Sequence, residues 1–96
     1  MRTYTDDAKM RGMRKRLVDY VASKGSFNSN ILEAINAIPR HFFIDSALAQ
    51  HAYEDKAFPI GDGQTISQPY TVAYQTQLLG VKKGDRVLEI GTGSGY

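Results

Sequence analysis

The sequence predicts an α/β protein, of which this 96-residue chain supplies a mainly helical amino-terminal part, a small hairpin and the first strand of a parallel sheet. Three observations carry that expectation. Two early stretches repeat apolar residues at helical spacing, Met10, Met13, Leu17, Tyr20 and Val21 in one and Ile31, Leu32, Ile35 and Ile38 in the other. Ala57-Phe58-Pro59-Ile60 and Gln64-Thr65-Ile66 flank Gly61-Asp62-Gly63, which reads as a hairpin with glycines supplying positive φ. Finally, Val87, Leu88 and Ile90 form a compact apolar run that leads directly into Gly91-Thr92-Gly93-Ser94-Gly95, as a buried parallel strand leads into a ligand loop.

The first helix is expected from Thr5 as N-cap, with Asp6 and Asp7 favourable in its first turn, to Gly25 in a left-handed conformation past its last turn. Lys9, Arg11, Arg14, Lys15 and Arg16 gather on it. Beside the apolar stripe they read as a basic solvated face, and no recognition motif, stacking aromatic pattern or zinc spacing argues for nucleic acid. Asn30 and Glu33 stand three apart, as in a capping box, at the start of the second helix, and Pro39 ends it. Arg40-His41-Phe42-Phe43-Ile44 then anchors the chain through its bulk, with Arg40 satisfying a helix terminus, and Ser46 to His51 forms a short helical piece.

After the hairpin, Pro69 suits the first turn of a third helix, which runs through Val72, Gln75, Leu78 and Leu79 and stops at Gly80. Ser67 sits where an N-cap would sit. Lys82-Lys83-Gly84-Asp85 makes the turn into the last strand. There are no internal repeats and no low-complexity linker.

Composition narrows the function classes. A chain of this size buries only about 60 to 70% of its unfolded surface, so its core is small. It contains no cysteine, which removes disulfides and thiolate metal sites, and His41 and His51 are too few and too poorly spaced for a metal centre. The opening Met1-Arg2-Thr3-Tyr4-Thr5-Asp6-Asp7 is polar, unlike a signal peptide, and no apolar run approaches the ~18 residues of a membrane span. A cytoplasmic location, without membrane or nucleic-acid partners, is the expectation.

The glycine spacing separates ligand classes. A dinucleotide loop, G-x-G-x-x-G, fails here because Tyr96 occupies the third glycine position, and a P-loop fails for want of Gly-Lys-Ser/Thr. What stands is Glu89, an apolar residue, then Gly-x-Gly-x-Gly, which resembles the first motif of the S-adenosylmethionine-dependent methyltransferases. A glycine turn with no ligand is the alternative. The chain stops at Tyr96, before the helix that would aim its N–H groups at such a ligand.

Four blocks in order make the resemblance specific: Pro39-Arg40-His41-Phe42-Phe43, Ala52-Tyr53-Glu54-Asp55, Pro59 through Tyr70 with Gly63-Gln64-Thr65-Ile66-Ser67-Gln68-Pro69 at its centre, and Val87 through Tyr96. They resemble the protein-L-isoaspartate O-methyltransferases from about Met10 onward. The resemblance implies a Rossmann-like parent protein that uses S-adenosylmethionine to methylate the carboxyl of L-isoaspartyl residues in damaged proteins. It divides the chain into a helical cap, 1–80, with a substrate and cofactor loop at 57–69, and the start of the methyltransferase domain, 81–96. It assigns Ser67 as the active-site residue, Gln64, Thr65, Ile66 and Ser67 to the loop against the cofactor, and Glu89, Gly91, Thr92, Gly93 and Gly95 to the motif that binds its methionine side. Tyr53 and Asp55 are expected to order the loop over the site.

On this reading the chain is the amino-terminal portion of the enzyme, with weak or no cofactor binding alone. A helical interaction module without catalysis is the competing class. The apolar final strand, with free edges, is expected to pair with a second copy of the chain or to remain mobile.

Overall fold

The computed structural model describes residues 5–96. The first four residues, part of the polar opening noted above, lie outside the described residues. Three helices, α1 (Ala8–Lys24), α2 (Ser29–Ala37) and α3 (Pro69–Leu79), pack against one another. Between α2 and α3 lie two 3-10 helices, Arg40–Phe43 and Ser46–His51, and an antiparallel hairpin of β1 (Phe58–Gly61) and β2 (Gln64–Ile66). The apolar core draws Leu17, Val18 and Val21 from α1, Ile35 from α2 and Ala73 from α3, joined by Ile44, Ala52, Tyr53 and Ile66 from the connecting segments.

The helices stand where the periodicity puts them, but their ends are made differently. Asp7, not Thr5, caps α1: its carboxylate accepts from the Met10 N–H at 2.8 Å. Neither aspartate lies inside the first turn, because Asp6 is drawn away to Arg14. Gly25 is extended (φ −171°) rather than left-handed, and its value is spatial, since a Cβ there would stand 3.3 Å from the Phe27 ring. The Asn30–Glu33 capping box does not form: α2 begins at Ser29 after Asn28, with no side-chain cap. Instead Gln77 of α3 ties down the α1–α2 connection, its Nε2 donating to the Ser26 carbonyl and its Oε1 accepting from the Asn28 N–H, both at 2.6 Å. The end of α3 is as expected, with Gly80 left-handed at φ 62°.

Arg14 corrects the sequence reading most sharply. The basic face expected on α1 holds for Lys9, Arg11, Lys15 and Arg16, which are exposed, but Arg14 is only 4% exposed. Its guanidinium meets Asp6 with two nitrogens, at 2.9 and 2.8 Å, while Nε donates to the Asn36 carbonyl at 2.7 Å and NH1 to the Tyr53 hydroxyl at 3.0 Å. Tyr53 also bonds His41 Nδ1 at 2.7 Å, and His41 Nε2 reaches the Thr5 carbonyl at 2.7 Å. A carbonyl only accepts, so Nε2 carries the proton when the ring is neutral, and Nδ1 then accepts from the Tyr53 hydroxyl. The Arg40–Ile44 stretch does anchor the chain, with Ile44 in the core and Phe43 packed against it, but not every bulky residue takes part. Arg40 and His41 are inside, whereas Phe42 is 40% exposed.

The hairpin forms as read, with Phe58 opposite Ile66, Pro59 opposite Thr65 and Gly61 opposite Gln64, and an irregularity between Pro59 and Gly61. Asp62 (φ 52°) and Gly63 (φ 70°) make its two-residue turn, both left-handed as an Asp-Gly hairpin turn requires. The Lys82–Asp85 turn also forms, closed by Asp85 N–H on the Lys82 carbonyl at 3.0 Å and by Lys82 N–H on the Asp85 carboxylate at 2.8 Å. The last strand does not. Residues 87–90 carry no regular structure, and Leu88 and Ile90 are 85% and 88% exposed. A strand is made by hydrogen bonds to a neighbour, and no strand lies beside this run among the described residues.

The Arg14 hydrogen bond is the main cause that holds the Asp6 carboxyl below its ordinary value. A depressed folded value means that the pair's stabilisation is fully present above the unfolded carboxylate value, about 4, and is lost as pH falls through the folded one. In urea denaturation across the acid range, Asp6→Asn is expected to lose less stability below about pH 4 than the parent does. Equal losses would contradict the assignment.

Candidate functional site

The hairpin, α3 and the glycine loop enclose an open cleft of about 690 Å³. Gln64, Thr65, Ile66 and Ser67 line it together with Glu89, Gly91, Thr92 and Gly93 and with Val72, Gln75, Thr76 and Leu79 of α3. Two segments far apart in sequence therefore meet, and a Cβ on Gly93 would stand 3.9 Å from Gln64 Oε1. Gly95, grouped with these residues from the sequence, does not line the cleft. Gly91, Gly93 and Gly95 all have positive φ, at 70°, 58° and 83°, which turns the loop sharply without side chains between it and the cleft.

The hairpin side of the cleft is placed by the core. Ile66, 2% exposed, buries the end of β2 in the core, so that Thr65 and Ser67 on either side of it are turned outward and exposed. Ser67 does not cap α3. The residue before Pro69 is Gln68, which makes no side-chain cap, and the capping carboxylate comes from Asp55, whose Oδ1 accepts from the Tyr70 N–H at 2.8 Å while Oδ2 accepts from Gln68 Nε2 at 2.9 Å. The Ser67 hydroxyl is thus not committed to the helix. Asp55 bonds on both sides of Pro69, whereas the Tyr53 hydroxyl bonds Arg14 and His41 in the buried network and not the loop.

Tyr96 was read from the sequence only as the residue that spoils a dinucleotide loop. Its ring lies edge-on to Phe43 with centroids 5.5 Å apart and receives the Arg40 guanidinium carbon 4.9 Å from its centroid. It lines the cleft as well. Arg40 does bond a helix terminus, Nε donating at 2.8 Å to the carbonyl of Ala52, the residue that follows the Ser46–His51 helix, and it donates from NH2 to the Lys56 carbonyl at 2.9 Å. Burial draws the Arg40 guanidinium below its ordinary value and pushes the Tyr96 phenol above its own. His51, exposed, pairs with Glu54 away from the cleft. Among the described residues no group of His, Cys, Asp or Glu is arranged to hold a metal ion, and no helix is long and apolar enough to cross a membrane.

These contacts separate two serine roles. Asp55→Ala is expected to cost about 1 to 2 kcal/mol through the lost cap, whereas Ser67→Ala shifts stability by less than about 0.5 kcal/mol. Denaturant midpoints measure both, and the reverse order would return the cap to Ser67.

Comparison with known proteins agrees with the four sequence blocks. The family model described as protein-L-isoaspartate(D-aspartate) O-methyltransferase matches residues 12–96. A protein-L-isoaspartate O-methyltransferase of Flavobacterium psychrophilum is 65% identical over 91 residues, 95% of this chain and 43% of that protein. Proteins of the same name from Cytophaga hutchinsonii and Salinibacter ruber are 59% identical over 86 residues and 54% identical over 94, covering 90% and 98% of this chain and 39% and 41% of theirs. The chain thus spans about two fifths of the length of these relatives, and it belongs to the protein-L-isoaspartate(D-aspartate) O-methyltransferase family.

Proposed function

We propose that this chain forms the cap, the substrate and cofactor loop and the first cofactor-binding segment of a repair enzyme that transfers a methyl group from S-adenosylmethionine to the carboxyl of L-isoaspartyl residues. The carrying observation is that Gln64–Ser67 and Glu89–Gly93, the blocks that the resemblance gives to loop and cofactor, line one cleft together. On this proposal 1–80 is the cap and 81–96 begins the methyltransferase domain.

S-adenosylmethionine supplies an electrophilic methyl on a sulfonium. The residues here supply its setting. The glycine loop lets the ligand approach backbone N–H groups closely, and the exposed Glu89 carboxylate offers an acceptor to the ammonium of its methionine part. An isoaspartyl carboxylate is ionised at neutral pH, so no general base is required. Its oxygen bonds to the methyl carbon as the carbon–sulfur bond breaks, leaving an ester and a neutral thioether. Opposite charges cancel in that step, which favours a site shielded from water and in-line alignment of oxygen, carbon and sulfur. The Ser67 hydroxyl, exposed at the cleft and free of a capping duty, orients the carboxylate by donating to it. The ester then cyclises to a succinimide, which reopens in part to normal aspartate.

The test uses a protein of the relatives' full length that carries this chain. Ser67→Ala is expected to lower turnover of an isoaspartyl peptide by on the order of 100-fold while leaving S-adenosylmethionine affinity nearly unchanged. Unchanged turnover would remove Ser67 from the reaction, and no base-labile methyl incorporation by the parent would overturn the function itself. The 96 residues alone leave the cleft open on one side, and a ligand gains most of its affinity from being largely enclosed. Calorimetry on this chain is therefore expected to give little or no binding heat with S-adenosylmethionine. Low-micromolar binding would contradict that.

A further inference from the structure

Five residues with three left-handed glycines, Gly91 through Gly95, form a segment with a large conformational entropy to lose. The apolar run before it does not hold it, since Val87, Leu88 and Ile90 all stand exposed. Within the loop itself the described hydrogen bonds are local, from Gly95 N–H to the Thr92 carbonyl at 3.0 Å and from Tyr96 N–H to Ser94 Oγ at 3.2 Å. What connects the loop to the cap is the Tyr96 ring, which packs against the apolar core.

The receptor for that ring is built in advance. Phe43 and Arg40 come from one 3-10 helix, separated by a single turn, and present an edge and a cation to the same ring. Arg40 has no freedom to leave, being 0% exposed and fixed through Nε and NH2 to the Ala52 and Lys56 carbonyls. Its remaining nitrogen, NH1, is buried without a hydrogen-bond partner among the described residues. Tyr96, through its ring face and its hydroxyl, helps to offset the cost of burying that group, as does the charge of Asp55.

We infer that Tyr96 is a positioning residue for cofactor binding, clasped between Arg40 and Phe43 so that the glycine loop is held at the distance from Gln64–Ser67 that the cofactor requires. The inference rests on the proposed use of the cleft. The clasp acts through the loop and touches neither the carboxylate nor Ser67, so its loss falls on the cofactor and spares the peptide. The ring makes both packing contacts, and the hydroxyl adds a polar interaction with the Arg40 guanidinium.

The experiment uses the full-length protein with Tyr96→Ala, Tyr96→Phe and, should the alanine variant fail to fold, Tyr96→Leu, which keeps apolar volume but no π face. Tyr96→Ala or Tyr96→Leu is expected to weaken S-adenosylmethionine binding about tenfold or more with the KM for an isoaspartyl peptide unchanged, and Tyr96→Phe, which keeps the ring and loses only the hydroxyl's interaction with Arg40, to recover most of the parent's affinity. Amide exchange at Gly91–Gly95 is expected to quicken in the same variants and much less in Tyr96→Phe. Parental affinity in the alanine and leucine variants, or a phenylalanine variant as weak as they are, would overturn the inference. A parent protein that binds no S-adenosylmethionine would overturn the proposed function alone. The exchange rates would then decide the clasp, with unchanged rates in the leucine variant sinking it.

Discussion

The structure depends on burying the Arg14 guanidinium with nearly all of its donors used. Taking a cation out of water costs several kcal/mol unless partners surround it. Here they come from four places: Asp6 ahead of α1, the Asn36 carbonyl near the end of α2, the Tyr53 hydroxyl from the connecting segment and, through Tyr53, His41. Each lies on a different piece of chain. Satisfying one side chain therefore fixes the amino-terminal segment, the α1–α2 pairing and the connection toward the hairpin at once. The hydrogen bond that the guanidinium donates to Asp6 is the main cause that raises its pKa further above the ordinary value.

Arg40 repeats the device one step closer to the cleft. The stretch from Arg40 to Lys56 has only 3-10 turns of its own, and short helices of this kind hold themselves together poorly. Two carbonyls of the stretch turn inward to Arg40, and Asp55 turns outward to cap α3. The position of α3, and with it the α3 lining of the cleft, thus descends from polar bonds made by residues outside the cleft. In a chain with so small an apolar core, such bonds do much to select one arrangement over other compact ones.

Much of this was legible in the sequence, for stated reasons. Periodicity located α1 and α2, Pro69 and Gly80 bracketed α3, and Asp62-Gly63 marked the hairpin, because each signal reports a local backbone preference. The blocks that line the cleft were also readable, since glycine spacing and the run around Gln64–Ser67 are local text. What stayed hidden was long-range. Nothing near Arg14 distinguishes it from Lys15 or Arg16 until Tyr53 and Asn36 are brought beside it. Asp55 displaced Ser67 as the cap of α3 from a distance in sequence at which no capping pattern is defined. Val87–Ile90 shows the converse, a run with strong strand preference that forms no strand without a neighbour to pair with.

On the proposed function, residues 1–80 hold the Gln64–Ser67 loop against the glycine loop around one cofactor. A crystal structure of the full-length protein with S-adenosylhomocysteine tests it most directly. The expected result is the ligand between these two segments, with its amino-acid part at Glu89 and Gly91–Gly93, Ser67 beside the sulfur's open face, and the Arg14 and Arg40 contacts unchanged. A ligand bound elsewhere, or a bound state in which the two segments separate, would contradict it.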